Sequence, residues 1–190
     1  IKKVNKAKII ALGIETNNSK PIEADIIGVS ISLKNHEAWY IPFQYPEKKK
    51  NNFGDNDVSE VLIKLKSILE NKSILKTAKD FKYIAQLFKR YGINIDGLHF
   101  DTTIASHLLN PLAKSISLSS LSMEYLNYDM MSIDELIGKG QKQIPLNEVP
   151  LKKIAFYSSE ETDITYQLTH MLENKLKDEG ISKYFYEIEM

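Results

Sequence analysis

The chain has no cysteine. Disulfides and thiolate metal sites are therefore excluded, which fits a cytoplasmic location. Arg90 is the only arginine, so the basic residues are almost all lysines. Formal net charge is zero, and nothing global draws the chain to nucleic acid. No apolar run approaches the roughly 20 residues needed to span a bilayer, so no membrane partner is expected. No signal peptide, internal repeat or low-complexity tract is visible. What is present is a 190-residue chain that is 43% hydrophobic, enough to bury the full core of one globular domain. Its local basic clusters are Lys48-Lys49-Lys50, the set Lys76, Lys79 and Lys82, and the pair Lys139 and Lys142. Their simplest reading is solvated surface lysine.

The first half reads as strands. Lys8 to Glu15 is apolar and ends in a carboxylate. In Asp25 to Leu33, Val29, Ile31 and Leu33 alternate against serines, and Glu37 to Phe43 carries Pro42 near its end. Turn-forming residues at 17–21 and 34–36 join them, which predicts an antiparallel meander. The pattern then changes. Val58 to Leu69 has helical spacing, and Ser73 to Ala78 is a short strand. Asp80 to Tyr91 is a helix with Phe81, Ile84, Ala85, Phe88 and Tyr91 on one stripe, Asp80 at its N-cap and Gly92 at its C-cap. Leu98 to Asp101 is a short strand running into a helix from Thr102 to Leu109. Leu118 to Leu126 is helical, and a long helix starts near Pro150 and runs to about Lys177. The expected fold is α/β, with a mixed sheet covered on both faces.

The chemistry begins at the end of the first strand. Acids at i and i+2 on a strand point to one face and can share a metal pair. Here the i+2 position is Glu15, but the i position is Gly13, which has no side chain. Tyr157 and Glu161 lie four apart on the long helix and share a face, whereas Asp163 points elsewhere. Asp80 adds an acid at a helix start. Singly, Asp80 also reads as a cap, Asp163 as a solvated helix charge and Tyr157 as a core-edge aromatic.

The order and spacing of several short stretches are more informative. They are Leu12-Gly13-Ile14-Glu15-Thr16, Ile27-Gly28-Val29-Ser30, Tyr40-Ile41-Pro42, Phe81-Lys82-Tyr83, Phe100-Asp101-Thr102 with Leu108-Leu109-Asn110, Ile137-Gly138-Lys139-Gly140, and Tyr157 through Asp163. Together they resemble the proofreading 3′–5′ exonuclease domain of bacterial DNA polymerase I, in the DEDD exonuclease superfamily. Ribonuclease D and Werner-type exonucleases fit less well around Gly138-Lys139-Gly140. The resemblance implies a ribonuclease H-like fold, with a central sheet of about five strands (an antiparallel meander, then parallel strands) flanked by helices. It implies an exonuclease-like domain over residues 1–186, with 187–190 opening the junction to a C-terminal polymerase domain, its partner in the same chain. It also implies contact with a single-stranded DNA 3′ end through Thr16, Lys82 and Tyr83. Ser19 and Ile133 fall where active relatives often have larger apolar side chains against the terminal base.

Active members of that family carry four acidic ligands and a tyrosine. The resemblance places the first acid at Gly13, the second at Glu15, the third at Ile84 and the fourth at Glu161, with the tyrosine at Tyr157. Glu15, Tyr157 and Glu161 are thus remnants of a catalytic set from which the Gly13 and Ile84 positions are lost. Two metal ions roughly 4 Å apart drive the hydrolysis in active relatives. Mg²⁺ needs oxygen ligands in near-octahedral geometry, and neither Gly13 nor Ile84 offers a side-chain oxygen. Glu161 is one methylene longer than the family's aspartate, and about 1 Å of misplacement costs about 100-fold in rate. The expectation is a structural or weakly DNA-binding module with hydrolysis lost and no cofactor, where active relatives use Mg²⁺ or Mn²⁺. The alternative is a weakly active, rearranged site built from Glu15, Asp80 and Glu161.

Overall fold

A computed structural model describes residues 3–43, 55–113 and 115–190. The Lys48-Lys49-Lys50 cluster lies outside the described residues. Three strands open the fold: β1 (Ile9–Thr16), β2 (Ile26–Lys34) and β3 (Glu37–Pro42). After α1 (Asp55–Leu69) come β4 (Leu75–Ala78), α2 (Phe81–Arg90), β5 (Leu98–Asp101) and α3 (Thr102–Leu109). The remainder is helical: α4 (Leu118–Leu121), α5 (Ile133–Ile137), the long α6 (Leu151–Asp178) and the short α7 (Ser182–Tyr184).

The strands form one five-stranded sheet in the order β3-β2-β1-β4-β5. β1 pairs antiparallel with β2 and β2 with β3, whereas β4 runs parallel to both β1 and β5. The expected meander followed by parallel strands is therefore present. Its physical origin is the linkers: short turns permit only antiparallel return, and helical crossovers return the chain parallel.

Period-two alternation divides β1 between two environments. Ile10, Leu12 and Ile14 face a core shared with Leu65, Ile68 and Leu69 of α1 and Phe81, Ile84, Leu87 and Phe88 of α2. Ala11, Gly13 and Glu15 take the opposite face, where α6 lies across β1, β2, β3 and β4. The small side chains at 11 and 13 let the helix approach closely. A second core joins Phe100 and Ala105 to Ile164, Leu168, Leu172 and Leu176 of α6, and Phe185 closes it. The expected domain boundary at 186/187 falls inside a wide helical turn, Phe185–Glu189, whose first residue is fully buried.

Ser30 and Ser32 of β2 are buried, because α6 covers that side of the sheet. Two expectations are corrected. Lys76 is not a surface lysine. Its side chain is wholly buried and donates to the Asn71 carbonyl at 2.6 Å. Leu118 to Leu126 is helical as expected, but in two kinds of turn: after Leu121 the α-helix widens into a π segment, Ser122–Leu126. There the Ser122 carbonyl accepts from the Tyr128 N–H, and the Ser122 hydroxyl donates to the Tyr128 carbonyl at 2.8 Å. Asp163 is not a free solvated charge. It accepts the His36 N–H at 2.6 Å and the Gln167 amide at 2.7 Å, pinning the β2–β3 turn to α6.

Candidate functional site

Strand β4 stops at Ala78, beside the middle of the parallel β1, and the chain passes through Lys79 and Asp80 into α2, while α6 packs on the sheet nearby. Between them lies a cleft of about 190 Å³, lined by residues that include Gly13, Lys79, Asp80, Ile84, Glu161 and Thr162. The fold thus brings together the positions the sequence assigned to one site. Glu15 sits two residues beyond Gly13 on the same strand face, opposite Gly28 of β2. Tyr157 lies one helical turn before Glu161, and its hydroxyl donates to Glu161 Oε1 at 3.2 Å.

Gly13 occupies no vacancy. A Cβ built there would overlap Thr162 Oγ1 and Ser30 Oγ. Those hydroxyls touch each other in a short hydrogen bond, and Ser158 donates to Ser30 Oγ at 2.9 Å. They belong to a seam of hydroxyls along the sheet-facing side of α6. Thr162, Thr165 and Thr169 each donate to the carbonyl four residues earlier, at 2.8 Å. Thr169 also meets Thr77 of β4 at 2.6 Å. Such back-bonding satisfies a hydroxyl inside a helix and lets it be buried. A side chain at position 13 would therefore force the Ser30 and Thr162 hydroxyls, and the hydrogen bond between them, to move.

Ile84 is buried in the α1/α2 core as well as lining the cleft. Asp80 does not turn its carboxylate to the cleft alone: it caps α2, accepting the Tyr83 N–H at 3.0 Å from a backbone held at φ 104°. Asp101 is also consumed structurally, accepting N–H groups from Phe81 at 2.7 Å, Thr103 at 2.8 Å and Ile104 at 3.2 Å. Burial pushes its carboxyl above the usual range against the pull of those three bonds.

The two remaining carboxyl groups are unlike each other. Glu15 is buried, and loss of water, followed by the nearby Glu161 charge, pushes its pKa up to about 8. A hydrogen bond with Ser158 and the charge of Lys79 oppose this more weakly. Glu161 is more open. It faces the Lys79 ammonium, with Nζ 3.4 Å from Oε1. The side chains of Lys79 and Glu161 are 48% and 24% exposed, so the pair contributes under about 1 kcal/mol to stability. Burial, then Glu161 and Glu15, drive the Tyr157 phenol well above its ordinary pKa, so it stays a neutral donor.

A two-ion site does not fit these residues. Position 13 has no side chain and position 84 is apolar. Among the described residues no group of three or more His, Cys, Asp or Glu side chains is arranged to hold a metal ion. Sequence reasoning missed Ser30, Ser158, Thr162 and Lys79. The four-residue spacing of Ser158 and Thr162 on the face of Gly13's expected neighbours was a usable signal, but polar helix residues read first as solvent-facing.

The candidate strand-binding residues cluster at one end of the cleft. Thr16 Oγ1 lies 2.7 Å from Tyr83 Oη, and both reach the Asn18 carbonyl, at 2.9 and 2.7 Å. Lys82 is exposed beside them, and Ser19 and Ile133 are also exposed. Lys139 pairs with Asp134 at 3.5 Å. Among the described residues no helix is long and apolar enough to cross a membrane.

A family model described as a 3′–5′ exonuclease matches residues 1–177. DNA polymerase I of Pseudomonas aeruginosa is 29% identical over 179 residues, covering 93% of this chain and 19% of that protein. DNA polymerase I of Borreliella burgdorferi is 31% identical over 194 residues, covering 100% of this chain and 20% of that protein. The chain thus spans about a fifth of the length of these curated relatives. Among solved structures, Brucella melitensis NrnC superposes with a TM-score of 0.70 at 21% identity, over 94% of this chain and 78% of that one, a likeness that carries the fold. The mixed sheet, the cleft between β1, α2 and α6 and the match over nearly the whole sequence converge: the chain belongs to the 3′–5′ exonuclease family, in the form found within DNA polymerase I, with a ribonuclease H-like fold.

Proposed function

We propose that this domain has lost phosphodiester hydrolysis and serves as a structural module of a DNA polymerase I, with at most weak affinity for a single-stranded 3′ end. The observation that carries the reading is at Gly13: no carboxylate is present there, and the Ser30 and Thr162 hydroxyls are hydrogen-bonded to each other where its Cβ would stand. The apolar Ile84 removes a second anchor. A two-metal mechanism requires one ion to activate water and another to stabilise the leaving oxygen. Glu15 and Glu161 alone do not supply octahedral oxygen shells for two ions. The partner is then a polymerase domain of the same chain, in the cytoplasm, and the expected junction at 187–190 would lead to it. Thr16, Lys82 and Tyr83 are the residues through which a 3′ end would be touched, by backbone contact and base stacking.

The rearranged alternative needs Glu15, Asp80 and Glu161 on one ion. The capping bond that Asp80 accepts from the Tyr83 N–H argues against it. The test is a gel assay on single-stranded DNA with Mn²⁺, run beside Glu15→Ala. The expected result is no shortening by either protein beyond a no-enzyme control. Shortening by the parent that Glu15→Ala abolishes would overturn the reading. Salt-dependent fluorescence anisotropy tests the binding half: phosphate contacts weaken steeply with salt. Substituting Lys82 should then reduce the salt slope.

A further inference from the structure

Among the described residues lining the cleft, Lys79 is the one cation. It follows β4 and precedes the α2 cap, so two fixed elements hold its backbone at the rim. Its ammonium reaches across to α6 and donates to Glu161 Oε1 at 3.4 Å. That same oxygen accepts the Tyr157 hydroxyl at 3.2 Å. Oε1 of Glu161, a residue lining the cleft, is therefore already engaged by a positive charge and a neutral donor. Lys82, three residues on, does not line the cleft, so the position is not interchangeable with its neighbours.

We propose that Lys79 is a resident counter-cation: its ammonium takes over the charge-balancing role of a divalent ion in this cleft and keeps such ions out. The inference rests on the reading that the metal pair has been lost, and extends it by assigning what replaced the metal. Lysine suits the task. An ammonium is a compact point charge on a flexible stem, with donors that rotate to a carboxylate and no demand for octahedral ligands. A divalent ion approaching Glu161 would have to displace the ammonium or sit within a few ångström of it. Even in a water-like dielectric that repulsion lowers affinity on the order of tenfold.

The experiment is an Mn²⁺ titration of the 190-residue chain followed by paramagnetic broadening of the Gly13, Glu15 and Glu161 amide signals in NMR spectra. Three proteins are compared: the parent, Lys79→Met, which keeps length and loses charge, and Lys79→Arg, which keeps charge. Lys79→Gln replaces the methionine variant if the latter's amide dispersion departs from the parent's. The parent and Lys79→Arg are expected to show no site-localised broadening. The neutral variant is expected to broaden at these three amides, at Mn²⁺ concentrations at least tenfold below any that affect the parent. A silent parent with an equally silent neutral variant overturns the role of Lys79 while leaving the metal-loss reading standing. Broadening at the site in the parent overturns the metal-loss reading itself. Equal broadening in Lys79→Arg and Lys79→Met overturns the charge argument.

Discussion

A carboxyl group that gives up its water and faces a second carboxylate holds on to its proton, and Glu15 is in that position. The consequence for stability has a definite sign. An unfolded glutamate titrates near its ordinary value of 4.5, and burial pushes the folded one up to about 8. Between those values the folded state binds more protons than the unfolded state, so stability falls as pH rises through the window. Urea midpoints measured from pH 5 to pH 8 should therefore decline, by an amount equivalent to a few kcal/mol at most. In Glu15→Gln, which keeps the shape and cannot ionise, the decline should be largely absent. A wild-type midpoint that rises across the same range would show that Glu15 is ionised in the fold and that its burial has been misjudged. Single residues also show where sequence alone falls short. Lys76 and Lys79 read as equivalent members of one basic cluster, yet one is buried against a carbonyl and the other pairs with Glu161 at the cleft. Nothing in their spacing separates them, because the separation comes from which strand and helix pack beside each.

At the level of elements, the seam between β1, β2 and α6 makes the strongest claim. If hydroxyls fill the space at position 13, then Gly13→Ala should overpack it and destabilise by about 1–3 kcal/mol. Adding Thr162→Ala should recover part of that loss, because the methyl replaces the hydroxyl it struck. Urea denaturation of both single variants and the double variant measures the coupling. Strict additivity would contradict the overlap. The α2 start offers a second check. Asp80 both caps the helix and holds a positive φ. Asp80→Ala should lose the cap and strain the backbone, costing about 1–2 kcal/mol, whereas Asp80→Gly should cost less because glycine tolerates that φ. Equal losses in thermal melts would mean that the backbone strain is negligible. Several elements were legible in advance for physical reasons. An apolar run gave away β1, alternation gave away β2, and the stripe from Phe81 to Phe88 gave away α2. The helix α5 was equally readable from its capping box, Ser132 with Glu135, but its five residues are too few to show a period. The π segment after α4 was not readable, since its hydrogen bonds depend on where Tyr128 lies.

For the whole molecule, the fold was legible in the pattern of strands and helices. The assignment of Gly13, Ile84 and Glu161 to one site came only from the family resemblance, because nothing in their own spacing links a strand residue to two different helices. What filled the cleft was not legible. A serine-threonine helix face reads as solvated until a sheet is laid against it, and only the assembled domain shows it as interior. The same assembly predicts that returning the missing acids is not enough. Gly13→Asp, Ile84→Asp and Glu161→Asp combined should lose several kcal/mol of stability, since charge enters a hydroxyl-filled seam and an apolar core. The combination should regain no primer shortening while Ser30, Thr162 and Lys79 remain. Recovered hydrolysis in that triple variant, followed on a labelled single strand, would contradict the claim that the surroundings closed with the ligands. The most direct measurement is anomalous diffraction from crystals of the unmodified chain grown in Mn²⁺. The account predicts no anomalous peak between Glu15 and Glu161, and two ordered peaks there, roughly 4 Å apart, would contradict it.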